Sequence, residues 1–327
     1  MVSIENLFHC WRLFKRGKSN KEEVQLFAYQ LEDNIFQLHD KLMTNNYHHG
    51  PYRKFKVFDP KERLIHAASV KDRLIHQMIY SALTEFFDHR FIFHSLSCRI
   101  GKGTHAGIIV LRKMILKVSS NNKKRCYALK MDIKRFFDSV DTSILKTLIR
   151  KQVQDEKILQ IIDMIIDSFF HTKTADKTSG IPLGNLTSQI FANIYLHELD
   201  LFIKHKLKEQ FYLRYCDDFI ILSKHKERLQ ALIPIIQNFL TNQLHLQLHP
   251  KKISIRPLKQ GIDFIGYVLY PKHTLIRPKT KKRALKRLRK CAEMGKANIN
   301  QTLQSYLGIL SHCHQYTFSQ TLKNVYG

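Results

Sequence analysis

Apolar side chains recur along the chain with two spacings, and the change from one to the other marks out the elements. Val24, Phe27, Leu31, Ile35 and Leu38 return every three or four positions, which predicts helical structure within residues 1–50. Between Pro51 and Pro60 the spacing shortens: residues 52–58 alternate basic and apolar side chains, as a short strand does. A helix is expected over 71–87, with Leu74, Ile75, Met78, Ile79 and Leu83 on its inner side. The small glycine loop Arg99-Ile100-Gly101-Lys102-Gly103-Thr104-His105 follows, and its lysine and hydroxyl spacing is wrong for a P-loop. A helix over 104–118, a polar basic turn over 119–125 and a buried strand over 127–133 that carries Asp132 come next.

The second half continues the alternation. Helices are expected over 141–151 and 155–169, a polar loop rich in Thr and Lys over 171–180, and a helix over 186–206. Residues 211–215 and 219–222 read as two short hydrophobic strands, with Cys216-Asp217-Asp218 between them as a tight hairpin. Another helix covers 225–240, strands cover 253–255 and 264–270, and the last 50 residues are helical. No internal repeat or low-complexity segment interrupts the pattern.

With 327 residues, 44% of them hydrophobic, the chain can bury one sizeable core or two joined ones. Twelve glycines and eight prolines leave little room for flexible linkers. No apolar run approaches a membrane span: Ile161 to Phe170 is broken by Asp163 and Asp167, so no membrane association is expected. The chain does not open on an apolar run with a cleavage site, and its six cysteines lack metal or disulfide spacing; a reduced, cytoplasmic protein is expected. His312, Cys313 and His314 lie close together but have no matching pair elsewhere, which makes a poor zinc site. The formal net charge of +27 changes the picture most, because it calls for a polyanion such as nucleic acid. Eight of the twelve residues 279–290 are Lys or Arg.

Asp132 and the pair Asp217-Asp218 each stand at the edge of a hydrophobic strand. Carboxylates there are either neutralised or hold a cation, since burial and like-charge crowding oppose leaving several ionised together. An Asp-Asp pair alone is most often a plain turn. Three carboxylates on neighbouring strands instead make a hard-oxygen site suited to Mg²⁺. Two such ions can activate a hydroxyl and stabilise a pyrophosphate leaving group.

Four blocks give the carboxylates a context. Tyr215-Cys216-Asp217-Asp218 with Phe219-Ile220-Ile221-Leu222 resembles the Tyr-x-Asp-Asp hairpin of reverse transcriptases. The segment 127–140 resembles that family's first catalytic-aspartate block, 180–189 its nucleotide-side segment, and Phe264-Ile265-Gly266-Tyr267 its primer-side block. The resemblance covers about residues 50–270. It implies an α+β right-hand polymerase fold with N-terminal helices and fingers over 1–125, an antiparallel-sheet palm over 126–270 with a fingers insertion around 171–190, and a basic helical thumb over 271–327.

The resemblance also implies roles. Asp132, Asp217 and Asp218 become the catalytic carboxylates and, with the backbone carbonyl of Ile133, the ligands of two Mg²⁺ ions, for which Mn²⁺ is a substitute. Phe137 takes the place of the aromatic gate that clashes with a ribose 2′-hydroxyl. Arg53, Lys54, Arg63 and Arg73 become candidates for the triphosphate, with Leu183 and Gly184 beside the nucleotide. Tyr215, Gly266, Lys282, Arg283, Lys286 and Arg287 become candidates for primer and template contacts. The substrates are then deoxynucleoside triphosphates, an RNA template and a DNA or RNA primer.

Within the family, Leu183-Gly184-Asn185-Leu186-Thr187-Ser188-Gln189, Cys98 to His105, and Ser305-Tyr306-Leu307-Gly308 resemble the enzymes of diversity-generating retroelements. Those copy a template repeat with errors at adenines and work with a small basic accessory protein. Leu183 stands where most of the family has glutamine, and leucine has no polar group to position a nucleotide, which fits error-prone synthesis. The chain is expected to carry no maturase, endonuclease or RNase H segment after the thumb. A retron-like or phage-defence reverse transcriptase and a non-catalytic RNA-binding scaffold are the alternatives; an RNA-dependent RNA polymerase fits Phe137 less well.

Overall fold

The computed structural model describes residues 2–58, 62–169, 179–293 and 299–326. The loop expected over 171–180, and with it much of the insertion around 171–190, lies up to residue 178 outside the described residues. The fold is α+β, with antiparallel sheets, and divides into two compact units.

The first unit comprises Met1–Cys98, Ile133–Leu207 and Ile236–Leu248. Its strands β1 (Arg53–Phe58) and β2 (Glu62–Ala67) form an antiparallel hairpin in the register Arg53↔Ala67 to Phe58↔Glu62. Sequence periodicity misses β2, because Glu62, Arg63 and Leu64 are all exposed and show no alternation. The helix Val70–Phe87 lies against the helices Ile4–Phe14 and Leu186–Leu201 and buries Leu74, Ile75, Met78, Ile79 and Leu83 as expected. Its start is fixed by Ser69, whose hydroxyl accepts from the Asp72 N–H. Asp72 is fully buried and accepts from Tyr47 at 2.8 Å, Ser69 at 2.7 Å and the Gly50 N–H at 3.2 Å. Beside it His76 contacts Thr187 Oγ1 at 2.7 Å and His49 at 3.1 Å, and burial pushes the His76 imidazole down to about 3. The helices Thr142–Arg150 and Glu156–Asp167 start at the caps Asp141 and Asp155. Leu186–Leu201 does not continue as an α-helix to 206 but loosens into a π-turn over Phe202–Lys206.

The second unit comprises Arg99–Asp132, Lys208–Ile235 and His249–Gly327. Strands β3 (Tyr127–Asp132), β4 (Tyr212–Tyr215), β5 (Asp218–Ser223) and β6 (Ser254–Pro257) make one antiparallel sheet in the order β4-β5-β3-β6. Leu129, Met131, Leu213, Phe219, Ile220 and Ile221 are fully buried in it. The helix Thr104–Val118 packs on β4 and β5. A second sheet joins β7 (Ile262–Phe264), β8 (Tyr267–Leu269) and β9 (Thr274–Ile276). The single strand expected over 264–270 is therefore two strands. Ile265 and Gly266 have φ of +39° and +94°, so the chain reverses between them in a two-residue hairpin turn. Helices Pro278–Glu293, Ile299–Leu310 and Tyr316–Tyr326 complete the unit. The first of them buries Ala284 and Leu288 and leaves Lys282, Lys286 and Arg287 on its exposed side.

Candidate active site

Strand register brings the carboxylates together. In the β3–β5 ladder Asp132 stands directly opposite Asp218. Tyr215 pairs with Asp218 across the β4–β5 hairpin, which leaves Cys216 and Asp217 as the two loop residues. Cys216 takes the left-handed φ of +54° that a tight hairpin needs. Asp218 thus belongs to the ladder, and Asp217 alone of the pair sits on the turn. The hydrophobic strands around them hold the three side chains in place: Phe219, Ile220 and Ile221 are all fully buried, so β5 is packed on both faces.

Crowding raises the carboxyl pKa values. Burial first, then the charges of Asp132 and Asp218, pushes Asp217 up to about 6, against its own backbone N–H and Lys252. Asp218 is also raised, chiefly by burial; Lys130 opposes this, while the charge of Asp132 and a hydrogen bond with it add to the rise. Two ammonium groups answer the negative charge: Lys252 Nζ lies 2.5 Å from Asp132 Oδ1, and Lys130 Nζ lies 3.6 Å from Asp218 Oδ1. The Asp132 carbonyl accepts from the His249 N–H at 2.8 Å. Sequence reasoning missed both lysines. Lys130 was in principle legible, two residues before Asp132 on one face of β3, but Lys252 is placed only by the β3–β6 pairing.

Among the described residues no three His, Cys, Asp or Glu side chains are gathered into a formed metal cluster. The side chains that could hold a cation are Asp132, Asp217 and Asp218, an oxygen-only set that suits Mg²⁺ or Mn²⁺ and not a thiophilic ion. The Lys252 ammonium on Asp132 is itself a cation at that position, so the site already accommodates positive charge.

Tyr215 accepts from Thr104 Oγ1 at 3.3 Å, in the glycine-loop block. Gly266 occupies the β7–β8 turn, and its carbonyl accepts from the Arg277 N–H. Arg283 lies on the half-buried flank of its helix beside the exposed Lys282, Lys286 and Arg287. In the first unit, Ile133 is buried and bridges Leu248. Phe136 fills the core, whereas Phe137 is only half-buried, so the gate candidate is not the core aromatic. The Leu183 carbonyl accepts from the His66 N–H, and its side chain is half-buried. Gly184 has φ +113°, and a Cβ there would lie 2.7 Å from Ile65 Cγ2. Arg53, Lys54 and Arg63 are exposed on the β1–β2 hairpin. Arg73 is held by Glu23 at 2.6 Å and lies over the Phe14 ring.

The family described as "Reverse transcriptase (RNA-dependent DNA polymerase)" matches residues 53–269, and the chain belongs to that family. It is similar to the group II intron-encoded protein LtrA of Lactococcus lactis subsp. cremoris, 24% identical over 72% of this chain and 49% of that one. It is also similar to an uncharacterized 91 kDa protein in the cob intron of Schizosaccharomyces pombe, 26% identical over 55% of this chain and 22% of that one. The chain thus spans half or less of these two relatives. In fold it is similar to apo telomerase from Candida Tropicalis truncated from its C-terminal domain, with a TM-score of 0.50 and 15% identity, covering 73% of this chain and 59% of that one. Among the described residues no helix is long and apolar enough to cross a membrane.

Proposed function

We infer that the protein is an RNA-directed DNA polymerase. The observation that carries this is the convergence of Asp132, Asp217 and Asp218 at one end of the β4-β5-β3-β6 sheet in a reverse-transcriptase-family chain. The sheet is read as the palm, the N-terminal helices and β1–β2 hairpin as fingers, and the helices from Pro278 onward as the thumb. The three carboxylates supply oxygen ligands for divalent ions, with the Ile133 carbonyl as a further donor. When bound, such ions activate a primer hydroxyl and stabilise the departing pyrophosphate.

This chain's own residues do the remaining work. Lys252 and Lys130 balance the carboxylate charge and hold the side chains in register. Phe137 presents a half-buried ring to exclude a ribose 2′-hydroxyl, and Leu183 offers an incoming nucleotide no hydrogen bond. The exposed row Lys282, Lys286 and Arg287 contacts phosphates without reading sequence. Template choice then falls to RNA structure or to a small basic helper protein. The resemblance of the Leu183–Gln189 block to diversity-generating enzymes supports error-prone copying in retroelement-driven diversification.

The test is primer extension on RNA by wild type and Asp218→Ala, with RNA binding measured on the same preparations. Extension is lost and binding is retained if the reading holds, because the basic surface and not the carboxylates supplies affinity. Wild-type-like extension by the variant refutes it.

A further inference from the structure

Beside the carboxylates, the second unit carries a cavity of about 180 Å³ lined by Ala128, Lys130, Lys252, Ser254, Arg256 and Asp263. The sheet explains it. Side chains alternate along β3, so Ala128 and Lys130 share the face of Asp132. The β3–β6 register sets Ser254 opposite Lys130 and Arg256 opposite Ala128. The small Ala128 side chain leaves the floor open, and cationic or hydroxyl donors come in from the walls. Asp263 does not cancel them, because Arg277 Nε already donates to its Oδ1 at 2.7 Å. Lys252 and Lys130 each share a carboxylate, while exposed Arg256 has no ion-pair partner among the described residues.

We propose that this cavity is a phosphate-binding subsite, with Arg256 as its principal cation and the Ser254 hydroxyl and Lys130 as further donors. The proposal rests on the polymerase reading for its choice of ligand: a backbone phosphate of the strand whose end lies at Asp132 and Asp218. Spacing favours that ligand. At about 3.3 Å per residue, Lys130 stands roughly 7 Å and Ala128 roughly 13 Å along β3 from Asp132. For a strand that runs along β3 from an end at Asp132, with successive phosphates advancing roughly 3.4 Å along a duplex axis, the second to fourth phosphates fall over the cavity. A guanidinium suits the task because it meets two phosphate oxygens at once. Lys252 lines the cavity and also touches Asp132, so a phosphate there competes for the ammonium that otherwise neutralises the carboxylate.

The experiment measures binding of an RNA template annealed to a labelled DNA primer, in EDTA and across a range of salt. It compares wild type, Arg256→Ser and Arg256→Lys. The primers carry one uncharged methylphosphonate at the first to the fifth linkage from the 3′ end. Arg256→Ser is expected to bind about tenfold more weakly and to lower the salt slope by about one, with Arg256→Lys restoring most of both. One methylphosphonate among the second to fourth linkages weakens wild type and leaves Arg256→Ser unchanged. Calorimetry with inorganic pyrophosphate is the second arm. A loss confined to that arm keeps the phosphate subsite and assigns it to free pyrophosphate. If Arg256→Ser keeps wild-type affinity, salt slope, methylphosphonate profile and pyrophosphate binding, the subsite is refuted. Extension on RNA separates the two readings: unchanged binding with intact extension removes the subsite alone, and a methylphosphonate effect without wild-type extension removes the polymerase alone.

Discussion

Replacing Asp217 by Asn removes one negative charge from a turn that already faces Asp132 and Asp218. The Asp217 carboxyl is held at about 6 where the ordinary value is 3.8. At 1.36 kcal/mol for each pH unit, its ionised form costs the folded state about 3 kcal/mol. Partial exposure and solvent screening reduce the expected effect to about 1–3 kcal/mol. The sign follows from proton binding. The folded state holds this proton more tightly than the unfolded chain, so stability falls as pH rises from about 4 to about 6 and then levels off. In EDTA above pH 7, Asp217→Asn should therefore melt higher than wild type, by about 2–4 °C for each kcal/mol. The gap between the two proteins should close as pH falls through 6 toward 4. Adding Mg²⁺ above pH 7 should raise the wild-type melting temperature more than the variant's, because only a state that binds the ion gains from it. Extension should be lost at every pH. Thermal unfolding followed by circular dichroism in EDTA and in Mg²⁺ reads all of this. An Asp217→Asn protein less stable than wild type in EDTA above pH 7, or a gap independent of pH, refutes the crowded-carboxylate account.

Gly184→Val should destabilise the first unit by about 1–3 kcal/mol, since the new side chain meets Ile65 and the φ of +113° is strained for any L residue; urea unfolding measures it, and an unchanged midpoint counts against the turn geometry. Phe137→Ala should raise ribonucleotide incorporation relative to deoxynucleotide while Phe136→Ala mainly lowers stability, because only Phe136 is core; equal discrimination by Phe137→Ala and wild type removes the gate. Leu183→Gln should lower the error rate by about 2- to 13-fold if the amide gains a hydrogen bond worth about 0.5–1.5 kcal/mol to the correct pair. Sequencing cDNA from one defined RNA checks this, and an unchanged error spectrum leaves Leu183 as a packing residue.

Much of the layout was legible in the chain because its strongest periodic segments are buried on one side. The helix Val70–Phe87 and strand β3 follow from spacing alone, and the strand edges already pointed to Asp132 and Asp217. Periodicity failed where a strand opens without alternation, as at Glu62, Arg63 and Leu64 of β2, and where a reversal hides inside an apolar run, as at Ile265-Gly266. It also failed for Lys252, whose place depends on a pairing between β3 and β6, some 120 residues apart. The spacing of apolar residues gave no sign of the buried set around Asp72, because its partners Tyr47 and Ser69 meet it only when the helix Val70–Phe87 is packed.

The order of strands in the active-site sheet bears on how the chain is made. Strand β3 is flanked by β5 and β6, which begin at Asp218 and Ser254, long after Asp132 has left the ribosome. At about 5–20 residues per second, the 120 positions between Asp132 and Lys252 take roughly 6–24 s to synthesise. Until β5 begins at Asp218, 86 positions after Asp132, an apolar strand waits without either neighbour, its backbone donors and acceptors open to other chains. Slow, non-local pairing of this kind invites aggregation during overexpression. Cooler growth or a holdase chaperone should raise soluble yield more than any stabilising change in the helices, because the vulnerable species precedes the folded state.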